Sequence, residues 1–312
     1  MDRTFETPHP PDLSVEIGSG RVEILAGETN DRTLVTVTGK GAEDTTIEQQ
    51  GNSIVVIGPR SRHGFSFSFG SQQLHVRISA PSGSGLTTKL GSADLVATGR
   101  LGTCALRAGS GDIQLEDAGA VEVVCGSGDL TIGDAWGDGV LRSGSGDLRI
   151  GSVAGTVQAT TGSGDLLIGA ASGRVSAKSG SGDVRIESSA TGAEVTTASG
   201  DVTVARLGGG RLDARTASGD ITVGVAAGLP AWTDIHTMTG TVSSTLASLG
   251  KPAEGDPFVE LRLRAVSGDV TVGHLQENPP ATEPTAAEET PTEPMPQTEP
   301  TTPVQTDPTR SF

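Results

Sequence analysis

Aromatic side chains are nearly missing from this chain of 312 residues, which has six Phe, two Trp and no Tyr. Large aromatics dominate thick cores, so their scarcity argues for a narrow apolar interior. Basic residues are also short: 22 Lys and Arg face 38 Asp and Glu, a net charge of −16, which argues against a nucleic-acid phosphate partner. Of that charge, −6 belongs to the segment from Gln276 onward. Two Cys do not make a disulfide framework. No stretch approaches the roughly 18 apolar residues of a membrane span. The opening Met1-Asp2-Arg3-Thr4-Phe5-Glu6 lacks the basic start and apolar run of a secretion signal, so a reducing, cytoplasmic setting is expected.

What the chain has instead is 45 Gly and a recurring phrase. Its clearest form is Gly144-Ser145-Gly146-Asp147-Leu148-Arg149-Ile150, with near-copies at Asp94, Asp112, Asp129, Asp165, Asp183, Asp201 and Asp220. The steps from Asp94 onward are 18, 17, 18, 18, 18, 18 and 19, and looser copies occur at Thr241 and Asp269. A period near 18 falls in the range of β-solenoid coils. Counted from each Asp, apolar residues stand at −8 and −6 (Val121 and Val123) and at +1 and +3 (Leu130 and Ile132), with a small residue at −4 (Ser143, Thr161). Alternation with period 2 marks a strand with one buried face. The parity switches across Ser-Gly-Asp, so the chain turns a corner there, with Gly supplying the dihedrals and Asp bonding nearby backbone. A second Gly-containing corner is expected after +3, for example from Gly151 to Gly155. The expected fold is therefore all-β: a parallel β-solenoid of about ten coils, each advancing about 4.8 Å, for a stack of about 50 Å. This register sets Cys104 and Cys125 four residues apart along adjacent coils, about 13 Å, too far for a bridge.

Read in order, residues 1–85 form an N-terminal region, 86–275 the regular solenoid and 276–312 a Pro/Thr/Glu-rich tail expected to be disordered. Within the first region, Leu13, Val15, Ile17, Val22 and Ile24 make a starting coil in which Arg21 stands where later coils have Asp. Residues 34–57 suggest strands, with a Gly51-Asn52 turn, that could cap the solenoid end. Phe65, Phe67 and Phe69 would share one face of an extended segment and are candidates for contact with a partner or a second copy. After Asp220 larger side chains enter (Trp232, Ile235, Met238), an insertion runs from Ser248 to Pro257, and a last coil is centred near Asp269, as in a terminal cap.

One residue set could carry chemistry: the column Asp112, Asp129, Asp147, Asp165, Asp183 and Asp201, continued by Asp94 and Asp220. Stacked carboxylates about 4.8 Å apart repel, so something must offset them. Calcium between coils is one option, although β-roll nonapeptides place Asp two residues after Gly and twice per coil. Backbone N–H donors at each corner are another. Lys89, Arg107, Arg142, Lys178, Arg215 and Arg264, all at −5, offer further compensation. No phosphate loop, nucleophile elbow or His ligand spacing is present, and no cofactor is implied. The chain reads as non-enzymatic. A β-helix that binds or processes carbohydrate, with Trp232 as a platform, is a further alternative.

The phrase Thr-Gly-Ser-Gly-Asp-Leu-x-Ile in units of 18, the opening from Leu13 to Ile24 and the closing segment from Trp232 to Asp269 resemble the bacterial β-strand-repeat "putative adhesin" family, also called toastrack domains. The resemblance spans roughly residues 10–275. It implies a β-solenoid, no known catalytic residues, and a role in scaffolding or cell-envelope sensing, with a protein partner or self-association.

Overall fold

The computed structural model describes residues 1–59, 73–246 and 257–275. Among these, 27 strands form two sheets, one of 14 strands and one of 13, and every coil contributes one strand to each. The alternation is the cause. In Val121–Cys125 the side chains of Val121, Val123 and Cys125 are buried while Glu122 and Val124 face out. After the Ser-Gly-Asp corner, Leu130 and Ile132 of Leu130–Ala135 point back at them. The next coil repeats this in register, with Val121 beside Gly139, Leu130 beside Leu148 and Ile132 beside Ile150. Each fully buried Val, Leu or Ile contributes about 1.5–3 kcal/mol, and the columns they form make one continuous core between the sheets.

The second corner differs in detail from the expectation. The strand does not end after +3; it bends at Gly151 and runs on to Val153, whose side chain is buried. The same inward position is taken by Ala118, Ala135, Ala171, Ser189 and Leu207. The small polar residue at −4 is buried for a reason visible at Ser143, whose Oγ accepts the Gly146 N–H at 3.0 Å, closing the corner from inside.

Twelve coils stack in this way among the described residues. The phrase marks ten; the others are the starting coil 12–27 and one formed by Ser53–Ile57 with His75–Pro81, which pair in parallel with Asp12–Ile17 and Arg21–Gly27. Beyond this added coil, Thr46–Gln50, Arg32–Thr38 and Asp2–Glu6 continue the sheets as antiparallel strands, the cap expected from residues 34–57. At the other end the stacking order departs from chain order. Strands Val259–Ser267 and Val270–His274 lie between the coil 210–225 and the coil 231–244, which is outermost. The first and last solenoid coils of the chain are thus both held between neighbours.

Residues Met1–Gln276 make one compact unit. No helix among the described residues is long and apolar enough to cross a membrane. The tail 276–312 and nearly all of the Ser248–Pro257 insertion lie outside the described residues.

Candidate functional site

The Asp column is real, and its members are joined through backbone. The N–H of Asp112 donates to Asp94 Oδ1 at 3.1 Å, that of Asp129 to Asp112 at 3.0 Å, and that of Asp147 to Asp129 at 3.0 Å. The series continues through Asp165, Asp183, Asp201 and Asp220 at 2.8–2.9 Å. It then tracks space rather than sequence: Asp269 donates to Asp220 at 2.7 Å, and Thr241 to Asp269 at 2.8 Å. At the other end Asp94 N–H turns to Gly20 O at 3.1 Å, because Arg21 in that coil has no acceptor to offer. From Asp112 onward, each of these corner N–H groups therefore finds its partner in the Asp side chain of the coil stacked before it.

Electrostatics derive from these bonds. The Asp165 N–H holds the Asp147 carboxyl below the usual carboxylate range against the opposing effect of burial, with Arg149 at 2.7 Å adding to the lowering. The Thr241 N–H does the same for Asp269, and Thr156 for Asp138 at the opposite corner. The cations at −5 do not pair with the column. They stand mid-strand on the outer face of the 13-stranded sheet, where Lys89 meets Glu16 at 4.0 Å, Arg215 meets Asp213 at 2.8 Å and Arg264 meets Asp234 at 3.9 Å. Among the described residues no group of three or more His, Cys, Asp or Glu is placed to hold a metal ion.

Phe65, Phe67 and Phe69 lie outside the described residues. Trp232 is half exposed on the outermost coil, with the Arg262 guanidinium 5.9 Å from its ring. Met238, Val242, Phe258 and Val266 are also exposed on the last two coils of the stack, so large apolar groups occur at this end. Cys104 and Cys125 are both buried and free; Cys104 pairs with Val121 and Cys125 with Ala108, the four-residue offset expected.

Sequence reasoning passed over Trp136. It is 56% exposed, its Nε1–H donates to Asp117, and the Arg100 guanidinium lies 4.9 Å from the ring centroid. The signal was present as an outlier in a column, since neighbouring coils have Gly119, Ala154 and Ser172 at the equivalent position.

In-register coils, two parallel sheets and a polar corner ladder define the molecule as a two-sided parallel β-solenoid with capped strands at one end. The Toastrack DUF4097 family matches residues 11–273, and the chain belongs to that family. Similar solved structures include a "putative adhesin" from Parabacteroides distasonis, 12% identical over 88% of this chain and 96% of that one, with a TM-score of 0.46. A "putative adhesin" from Parabacteroides merdae is 11% identical over the same shares, with a TM-score of 0.42. A "Putative lipid binding protein" from Parabacteroides distasonis is 15% identical, again over 88% and 96%, with a TM-score of 0.43. No curated protein matches the chain.

Proposed function

We propose that this chain is a non-enzymatic interaction scaffold, adhesin-like in build, that engages a protein partner, in the first instance a second copy of itself, through the coil 231–244. The observation that supports this reading is the asymmetry of the two ends. At the N-terminal end the sheet edges are Asp2–Glu6 and Thr46–Gln50, which carry Asp2, Arg3, Glu6, Glu48 and Gln49. Charged edges of this kind resist strand addition. At the far end the edges are Ala231–Thr239 and Val242–Ser244, to which no further strand among the described residues is paired. Met238 there is 79% exposed, beside Val266 of the adjoining strand, and Trp232 is exposed further along the same strand. An unpaired edge with apolar side chains adds a strand readily, and a two-fold pairing of identical edges closes as a dimer instead of running on as a fibre. Buried free thiols fit a reducing cytoplasm as the place of action.

The test is sedimentation of the full chain over a range of concentrations. A concentration-dependent dimer that becomes monomeric in Met238→Glu supports the reading. A monomer at every concentration overturns self-association. A dimer that persists in Met238→Glu but is lost in Phe67→Ser transfers the contact to the Phe segment.

A further inference from the structure

Beyond the bend of the 14-stranded sheet lies a hollow of about 360 Å³, lined among others by Asp134, Trp136, Ser152, Ala154, Ala170 and Ser172. We infer that this hollow is a binding site for a neutral sugar ring, with Trp136 as the stacking wall and Asp134 as the acceptor of its hydroxyls. The inference is independent of the scaffold reading.

The hollow exists because the coils stacked beyond Trp136 carry small residues. The next two place Ala154 and Ser172 where the indole stands, so a slot two coils long, about 10 Å, opens beside the ring. The ring is fixed from the other side. Its Nε1–H is held by Asp117 of the preceding coil, and Arg100, one coil further back, supplies the guanidinium over the ring. An aromatic that is exposed yet already held loses little freedom when a ligand stacks on it. The polar side is also set in place: Ser152 Oγ donates to Asp134 Oδ1, which leaves Oδ2 without a hydrogen bond among the described residues.

Chemistry selects the occupant. A cation would meet a ring whose electrostatic attraction is already engaged by the Arg100 guanidinium. An anion would meet Asp134 in a chain of net charge −16. A wholly apolar ligand would strip water from Asp134, Ser152 and Ser172 without replacing their bonds. A pyranose offers a face of C–H groups to the indole and an edge of hydroxyls to a carboxylate and two serines, which meets every requirement at once. An aromatic wall with a few placed polar groups is the usual composition of a small-ligand site.

The experiment uses the full chain carrying Trp232→Phe, so that Trp136 is the sole indole. Its fluorescence is titrated with maltotriose, cellotriose and chitotriose, and with tetramethylammonium as a cation control. The expected result is a saturable change with at least one saccharide. Affinity should fall at least tenfold in Asp134→Ala and again in Ala154→Phe, which fills the slot from an exposed position and should leave the melting temperature nearly unchanged. No saturable change with any of the three saccharides overturns the proposal. So does an undiminished response in Ala154→Phe, or a response to tetramethylammonium alone.

Discussion

At the Ser-Gly-Asp corner two adjacent residues answer different demands. A Cβ on Gly146 would stand 2.1 Å from the Gly128 carbonyl oxygen of the coil beneath, a backbone atom that cannot step aside. Gly146→Ala should therefore cost about 2–4 kcal/mol, since overpacking against fixed backbone is among the larger single-residue effects. The control is Gly27→Ala, with nothing within 4 Å of the added carbon, where urea unfolding should give a change within about 0.5 kcal/mol. Two equal losses would remove close approach as the cause. Gly164 adds a second reason, a φ of 134°, so its Ala variant should be at least as unstable as that of Gly146. Asp147 is the neighbouring demand. Because its folded pKa is depressed by the Asp165 N–H and by Arg149, its stabilisation is present above the unfolded carboxylate range near 4 and is lost as pH falls through the folded value. Melting temperature should drop on acidification below about pH 4, and Asp147→Asn, which keeps an acceptor oxygen but cannot titrate, should flatten that acid limb. The thiols test the core. Burial pushes Cys104 up to about 12, so in the native protein it should react with a thiol reagent only as fast as the chain opens, and at once in denaturant.

At the scale of strands and coils, how much could be read in advance depended on whether a residue's role is local. Val121, Val123, Leu130 and Ile132 announced buried strands because alternation is a property of the strand itself. The corner was legible for the same reason, and so was the spacing of Cys104 from Cys125. The bend at Gly151 was not, because a strand that kinks and continues looks in sequence like one that ends. Nor was the coil formed by Ser53–Ile57 and His75–Pro81, since its two halves are far apart in the chain and neither holds the phrase. The order of the last two coils was hidden too: Val242 and Val270 serve equally well as stacking residues, and only the pairing of Val270 with both Ile221 and Val242 reveals which lies inside. This swap has a measurable consequence. Strand Val259–Ser267 is paired on both sides and largely buried at its inward positions, whereas Ala231–Thr239 is paired on one side and half exposed. Native-state hydrogen exchange should find the 259–267 amides protected like those of the central coils, and the 231–239 amides opening first. If the two strands exchange together, the end coil is covered in solution, which would point to the partner contact proposed above.

For the molecule as a whole, the question is how a stack with so much negative charge stays together. Net charge is −16, and the corner column sets carboxylates one coil apart along the length of the solenoid. Each adjacent pair repels by about 1 kcal/mol in water, so the sum would be serious if unopposed. The ladder opposes it from within. Between every two carboxylates lies the backbone N–H of the next Asp, 2.7–3.1 Å from Oδ1, so each negative group faces a partial positive charge supplied by the fold. No ion is needed to offset that repulsion. Thermal unfolding in EDTA and in millimolar calcium should therefore differ by no more than the same ionic strength of sodium chloride produces. A calcium-specific rise of several degrees that disappears in Asp165→Asn and Asp183→Asn would make the column a cation site and replace the ladder as the explanation. If calcium has no such effect, the repeated geometry of the column is a device for stacking coils, and the two places where the repeat is broken, Trp136 on its side and the coil 231–244 at its end, are where the proposed contacts are to be tested.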